Sequence, residues 1–146
     1  MPDQPSSPSA EHLVVRVPND REEINAIEGR LLEILDRFNY AKASRFAVRL
    51  AVEEALTNAF RHGHRTLPKS TPVLLDLTVG RDEVTIAVED QGPGFTPSDV
   101  PDPTLDENLD KPTGRGLMLM RAYMARIEYN AKGNRVTLTY RRPSGA

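Results

Sequence analysis

"VEDQGPGF", residues 88–95, carries an alternating strand into a glycine turn, and the residue that looks out of place in it is Asp90. Counting back by twos from Asp90 gives Val88, Ile86 and Val84, with Glu89, Ala87 and Thr85 between them. Side chains alternate across a strand, so Asp90 falls on the apolar, core-facing side and Glu89 on the other. A carboxylate aimed at a core is costly unless donors reach it. Either the strand has opened into solvent by Asp90, or a ligand supplies the donor.

Working outward, "TPVLLDLTVGRDEVTIAVED" (71–90) reads as two strands around a turn at 80–82. Upstream, "EHLVVRV" (11–17) is a short strand. Asn19 and Asp20 then offer helix caps, with Glu22 and Glu23 in the first turn, where negative charge suits the helix dipole. Ile24, Ile27, Leu31, Ile34, Leu35 and Phe38 follow at helical spacing, which predicts an amphipathic helix to about 38 with its apolar stripe in the core. A second helix is predicted from about 43 to 62, stopped by Gly63 and, further on, Pro68. Downstream, "FTPSDVPDPTLDENLDKPT" (95–113) has four prolines, five acids and no periodicity, and reads as a long loop. "GRGLMLMRAYM" (114–124) reads as an apolar helix, its methionines core or contact filling, and "RIEYNAKGNRVTLTYR" (126–141) as a hairpin turning at 132–134. This order predicts an α/β fold of the two-layer α+β kind, with helices on one face of a mixed, mainly antiparallel sheet.

At 146 residues the chain has room for one domain with a proper core, placed here at 11–142. Its formal net charge of -2 provides no basic field for nucleic acid. With no cysteine, disulfides and thiolate metal sites are excluded. No apolar run approaches membrane-spanning length. The first ten residues, "MPDQPSSPSA", have three prolines and three serines, lack the regions of a signal peptide, and read as a disordered tail. A cytoplasmic domain is the expectation.

Glu54, Asn58 and His62 fall at i, i+4 and i+8 on the second helix and so share one side of it, in a row that Phe46 and Leu50 continue toward the N-terminus. A row that begins apolar and turns polar leaves a core and enters a cleft. Asn is a mediocre helix former, so Asn58 is read either as functional or as a solvated, locally bonded residue. Gly92 and Gly94 follow Asp90, while Gly114 and Gly116 precede a helix whose N-terminus would offer free N–H groups to anions. The long loop between these glycine turns reads as a lid, with plain disorder as the alternative. A carboxylate for a neutral donor, a helix N-terminus for phosphate, and Asn58 with Glu54 for a metal and a proton together make the inventory of a nucleotide site. His62 and His64 form an H-x-H at the helix end and read as capping and surface residues rather than metal ligands. No P-loop pattern, G-x-x-x-x-G-K-[ST], is present.

"EEALTNAFRHG" (53–63), "VEDQGPGF" (88–95) and "TGRGLMLMRAYM" (113–124) resemble the N, G1 and G2 boxes of the GHKL ATPase superfamily, which includes gyrase and the sensor histidine kinases. Within it, the compact length and "GRGLMLM" followed by "GNRVTLTYR" are similar to the bacterial anti-sigma-factor serine/threonine kinases. The resemblance implies a Bergerat ATP-binding sandwich with an ATP lid at about 95–113. It implies that Asp90 accepts the adenine amino group, that Asn58 ligates Mg²⁺, and that Glu54, picked over Glu53 by the E-x-x-x-N spacing, is the general base. Gly92 and Gly94 would shape the adenine pocket, Gly114, Gly116 and the Leu117 backbone would cradle phosphates, and Thr137 would stand near adenine. Arg115 is either a phosphate contact or a solvated loop residue. The lid carries five acids against one lysine, Lys111, which departs from what triphosphate charge would favour.

The function implied is a protein serine kinase that acts on a STAS-type anti-anti-sigma partner, sequesters a sigma factor and forms a homodimer, without direct contact to nucleic acid or membrane. The competing reading is a non-catalytic ATP-dependent switch using the same pocket, or a kinase of a STAS protein that binds no sigma factor. A detached catalytic half of a histidine kinase fits less well, because the chain has no room for a phosphoacceptor helix pair.

Overall fold

A computed structural model describes residues 10–92 and 120–143. The tail (1–9), Gly94, the lid (95–113), Gly114, Arg115, Gly116, Leu117 and Met118 lie outside the described residues. The elements run β1 (Ala10–Val17), α1 (Arg21–Arg37), α2 (Lys42–Asn58), a π-helical turn (Ala59–Gly63), β2 (Val73–Gly80), β3 (Glu83–Glu89), β4 (Arg126–Tyr129) and β5 (Arg135–Arg141). Residues 120–123 are helical and precede β4. Ala10, which the sequence reading put in the tail, begins β1 opposite Gly80.

The five strands form one sheet in the order β1-β2-β3-β5-β4. Every described pairing is antiparallel. Alternation sets the two faces. Val73, Leu75, Leu77 and Val79 of β2, Val84, Ile86 and Val88 of β3, and Leu138 and Tyr140 of β5 are buried under the helices. The α1 stripe meets them as its spacing requires: Ile24, Ile27, Leu31, Ile34 and Leu35 are all in the core. Asp20 caps α1 by accepting the Glu23 amide at 3.2 Å.

Polar contacts tie the layers together. The buried Tyr140 hydroxyl and Ser44 Oγ are 2.7 Å apart, which joins β5 to α2. Asn39 takes the left-handed backbone (φ 61) that ends α1, and Tyr40 then turns inward to donate to the Gly80 carbonyl at 2.6 Å. Arg142 stacks over the Tyr40 ring at 3.9 Å and donates to the Phe38, Asn39 and Arg81 carbonyls, so the last strand clasps the end of α1.

Candidate functional site

The α2 helix gives way to a π-helical turn directly after Asn58, closed by the His64 amide on the Ala59 carbonyl at 2.9 Å. Single π turns are frequent at functional sites. Glu54 and Asn58 remain one helical turn apart, as the sequence spacing demanded. His62 lies within the wider turn and is exposed. At the other end of the row Phe46 is 54% exposed and meets Tyr123 edge-on at 6.3 Å, so the row does not start in the core as its apolar character had suggested.

Glu54 Oε1 and Asn58 Oδ1 are buried and have no hydrogen-bond partner among the described residues. A buried polar oxygen without a partner carries a desolvation penalty of about 1–3 kcal/mol, and native structures hold few of them. Two on successive turns of one helix are two acceptors awaiting donors or a cation. Burial, followed by the neighbouring Glu53 charge, raises the Glu54 carboxyl above the ordinary carboxylate value, with Arg61 pulling the other way. Asn58 offers a neutral, hard oxygen of the kind Mg²⁺ accepts, and that ion takes few protein ligands.

Asp90 follows β3, and its carboxylate lies against Gly63 of the π turn. Its backbone is fixed by Asn134, whose carbonyl accepts the Asp90 amide at 2.8 Å and whose side chain donates to the Asp90 carbonyl at 3.0 Å. Asn134 is in turn set by Asn130, whose Oδ1 accepts the amides of Gly133, Asn134 and Arg135 around the β4–β5 turn. Asp90 Oδ1 accepts the Gly92 amide at 2.8 Å, so one donor to this carboxylate comes from the chain itself. Among the described residues nothing donates to Oδ2. Burial raises the Asp90 carboxyl, and the Gly92 hydrogen bond opposes that rise.

The sequence reading treated Gly63 as a helix stop, and its main role is steric. A Cβ on Gly63 would run into the Asp90 carboxylate, 2.7 Å from Oδ1 and closer still to Cγ and Oδ2. A Cβ on Gly92 would strike the Gly63 backbone, 2.8 Å from its carbonyl carbon. Gly63, Asp90 and Gly92 therefore meet without room for one more carbon. His64, read as a surface residue, is buried at 5% exposure, and its Nε2 accepts the Gln91 amide at 2.7 Å. Thr137 pairs with Ala87 and alternates with the core residue Leu138, which puts it on the sheet face away from the helices and away from Asp90. The structure does not bring Thr137 into this site.

A cleft of about 330 Å³ opens on the neighbouring flank of α2, lined by Arg21, Glu53, Thr57, Phe60 and Arg61 among others. It does not include Glu54, Asn58 or Asp90.

The described residues thus form a two-layer sandwich with a carboxylate at the end of a central strand and, on the facing helix, two buried oxygens without partners among the described residues. Residues 17–140 match the histidine kinase-like ATPase domain, and the chain belongs to that family. It is 33% identical over 107 residues to a serine/threonine-protein kinase, BtrW, of Bordetella bronchiseptica, covering 70% of this chain and 75% of that protein. It is 31% identical to the anti-sigma F factor of Clostridium perfringens, covering 62% of this chain and 65% of the relative. To the serine-protein kinase RsbW of Staphylococcus aureus it is 25% identical, over 87% and 84% of the two chains. The crystal structure of the RsbU and RsbW domains of a Mycobacterium tuberculosis protein has the same fold, with a TM-score of 0.61 at 20% identity, over 91% of this chain and 33% of that one. Among the described residues no helix is long and apolar enough to cross a membrane.

Proposed function

We propose that this protein binds ATP with Mg²⁺, transfers the γ-phosphate to a serine of a STAS-type anti-anti-sigma protein, and sequesters a sigma factor, acting as a cytoplasmic homodimer. The observation that carries the proposal is the pair of buried, unpartnered oxygens, Glu54 Oε1 and Asn58 Oδ1, in a chain of an ATPase family. The named roles of the kinase and anti-sigma relatives support the same reading.

In this reading Asp90 accepts the exocyclic amine of adenine on the carboxylate oxygen that Gly92 leaves free, Gly92 shapes the adenine pocket, and Gly63 leaves room for the carboxylate itself. Asn58 Oδ1 holds Mg²⁺, which when bound neutralises phosphate charge. Glu54 takes the proton of the incoming serine hydroxyl, and its raised proton affinity makes it a stronger base than a solvated glutamate. Gly94 would help shape the adenine pocket, and Gly114, Arg115, Gly116 and the Leu117 backbone would line the phosphates beneath the lid.

Incubation of wild-type and Glu54→Ala protein with labelled ATP and the STAS protein encoded nearest to it tests the proposal. Label on a STAS serine with wild type only supports the kinase. ATP binding and partner binding without any label, equal in the two proteins, establishes the switch reading instead.

A further inference from the structure

His64 lies outside every role assigned so far. It is buried between the π turn and the Asp90 turn, its ring edge-on to Phe60 with centroids 5.7 Å apart. Nε2 accepts the Gln91 amide at 2.7 Å, so the ring proton sits on Nδ1. Nδ1 is buried and has no hydrogen-bond partner among the described residues. Leaving a donor in that state is unfavourable. A phenylalanine would keep the aromatic contact with Phe60 and leave no orphan, so packing alone disfavours histidine here. What histidine offers that phenylalanine lacks is an acceptor for one backbone amide, that of the Asp90–Gln91 peptide directly after the carboxylate-bearing residue.

We propose that His64 is a positioning residue for the base-reading carboxylate: its Nε2 pins the Gln91 amide and thereby fixes the turn that aims Asp90 at the nucleotide. Asp90 is then held from three sides. Asn134 grips its backbone, Gly92 takes Oδ1, and His64 fixes the next residue. The device spans the two halves of the site, since His64 ends the helix that carries Glu54 and Asn58. The inference rests on the reading of Asp90 as the adenine contact.

The test uses the full chain and compares His64→Phe, His64→Gln and His64→Asn for ATP and GTP affinity by calorimetry. Gln carries an oxygen at the same bond count from Cβ as Nε2, whereas the Asn oxygen matches Nδ1. His64→Phe and His64→Asn are expected to weaken ATP by about tenfold or more, corresponding to about 1.4 kcal/mol, while His64→Gln restores most of the affinity. If Asp90 reads the adenine amine, GTP should bind weakly to every variant and change little between them. Nitrogen-15 shifts of the wild-type ring should show the Nδ1–H tautomer. Equal ATP affinity in the wild-type and His64→Phe proteins, or an Nε2–H tautomer, overturns the proposal. Failure of the wild type itself to bind ATP would instead remove the reading of Asp90. If His64→Phe does not fold, the tautomer measurement on the wild type and the Gln–Asn contrast still decide.

Discussion

The Asp90 carboxylate occupies the space that a side chain on Gly63 would need. With a Cβ on Gly63 only 2.7 Å from Asp90 Oδ1, either the carboxylate or the end of the helix must move. Gly63→Ala is therefore expected to weaken ATP binding by about tenfold or more while costing about 1–3 kcal/mol of stability, the usual range for overpacking. Nucleotide titration beside urea unfolding checks this. Full ATP affinity in a folded Gly63→Ala protein would place Asp90 outside the pocket.

Asp90→Asn should selectively weaken adenine nucleotides. A hydrogen bond to a charged group contributes about 1.5–3 kcal/mol, or roughly tenfold to a hundredfold in Kd. Calorimetry with ATP and GTP measures the difference. A uniform loss for both nucleotides would argue against base recognition.

Glu54→Ala and Asn58→Ala should separate chemistry from binding. Removal of a general base slows transfer by about 10²–10⁴ and leaves nucleotide affinity largely intact. Asn58→Ala should lower both Mg²⁺-dependent ATP affinity and rate. Both substitutions remove a buried atom that has no partner, so neither should lose a hydrogen bond within the protein. Because burial and Glu53 raise the Glu54 carboxyl, the transfer rate should climb with pH beyond the range where a solvated glutamate is already ionised.

Glu28 should make the fold pH-sensitive. It is 2% exposed on α1, with Arg49 Nε donating to one oxygen at 3.1 Å and the other without a donor among the described residues. Burial, and then the facing Glu53 carboxyl, push it from 4.5 up to about 7 despite Arg49. Between those values the folded chain holds more protons than the unfolded chain, so this contribution to stability is complete below about 4.5 and is lost as pH rises through about 7. Glu28→Gln, whose amide can donate permanently, should flatten that dependence and exceed wild type at pH 8 by at least about 1.4 kcal/mol, the equivalent of one pKa unit. Denaturant unfolding from pH 5 to 8 checks it. An unchanged pH slope in Glu28→Gln would exclude Glu28 as its source.

Local periodicity made much of this protein legible in its sequence. The α1 stripe, the two hairpins, the caps and the one-turn separation of Glu54 and Asn58 all follow from 3.6-residue and two-residue repeats, which the backbone imposes over a few residues. Alternation along "VTLTY" (136–140) also put Thr137 off the core face; family likeness drew it toward adenine, and the sheet register agrees with the alternation. Glu28 likewise stood within its helix's apolar stripe, four residues after Ile24 and three before Leu31.

Tertiary packing decided the rest. That Asp90 finds a donor in Gly92, that Gly63 makes room for its carboxylate, that Asn134 holds its backbone, that His64 is buried, and that Glu28 meets Arg49 from α2 are all contacts between segments well separated in sequence or closed by a turn whose path repeats do not encode. Periodicity says which face a side chain takes. It cannot say which atom lies opposite, because that is set by close packing, where one added carbon is enough to exclude a contact.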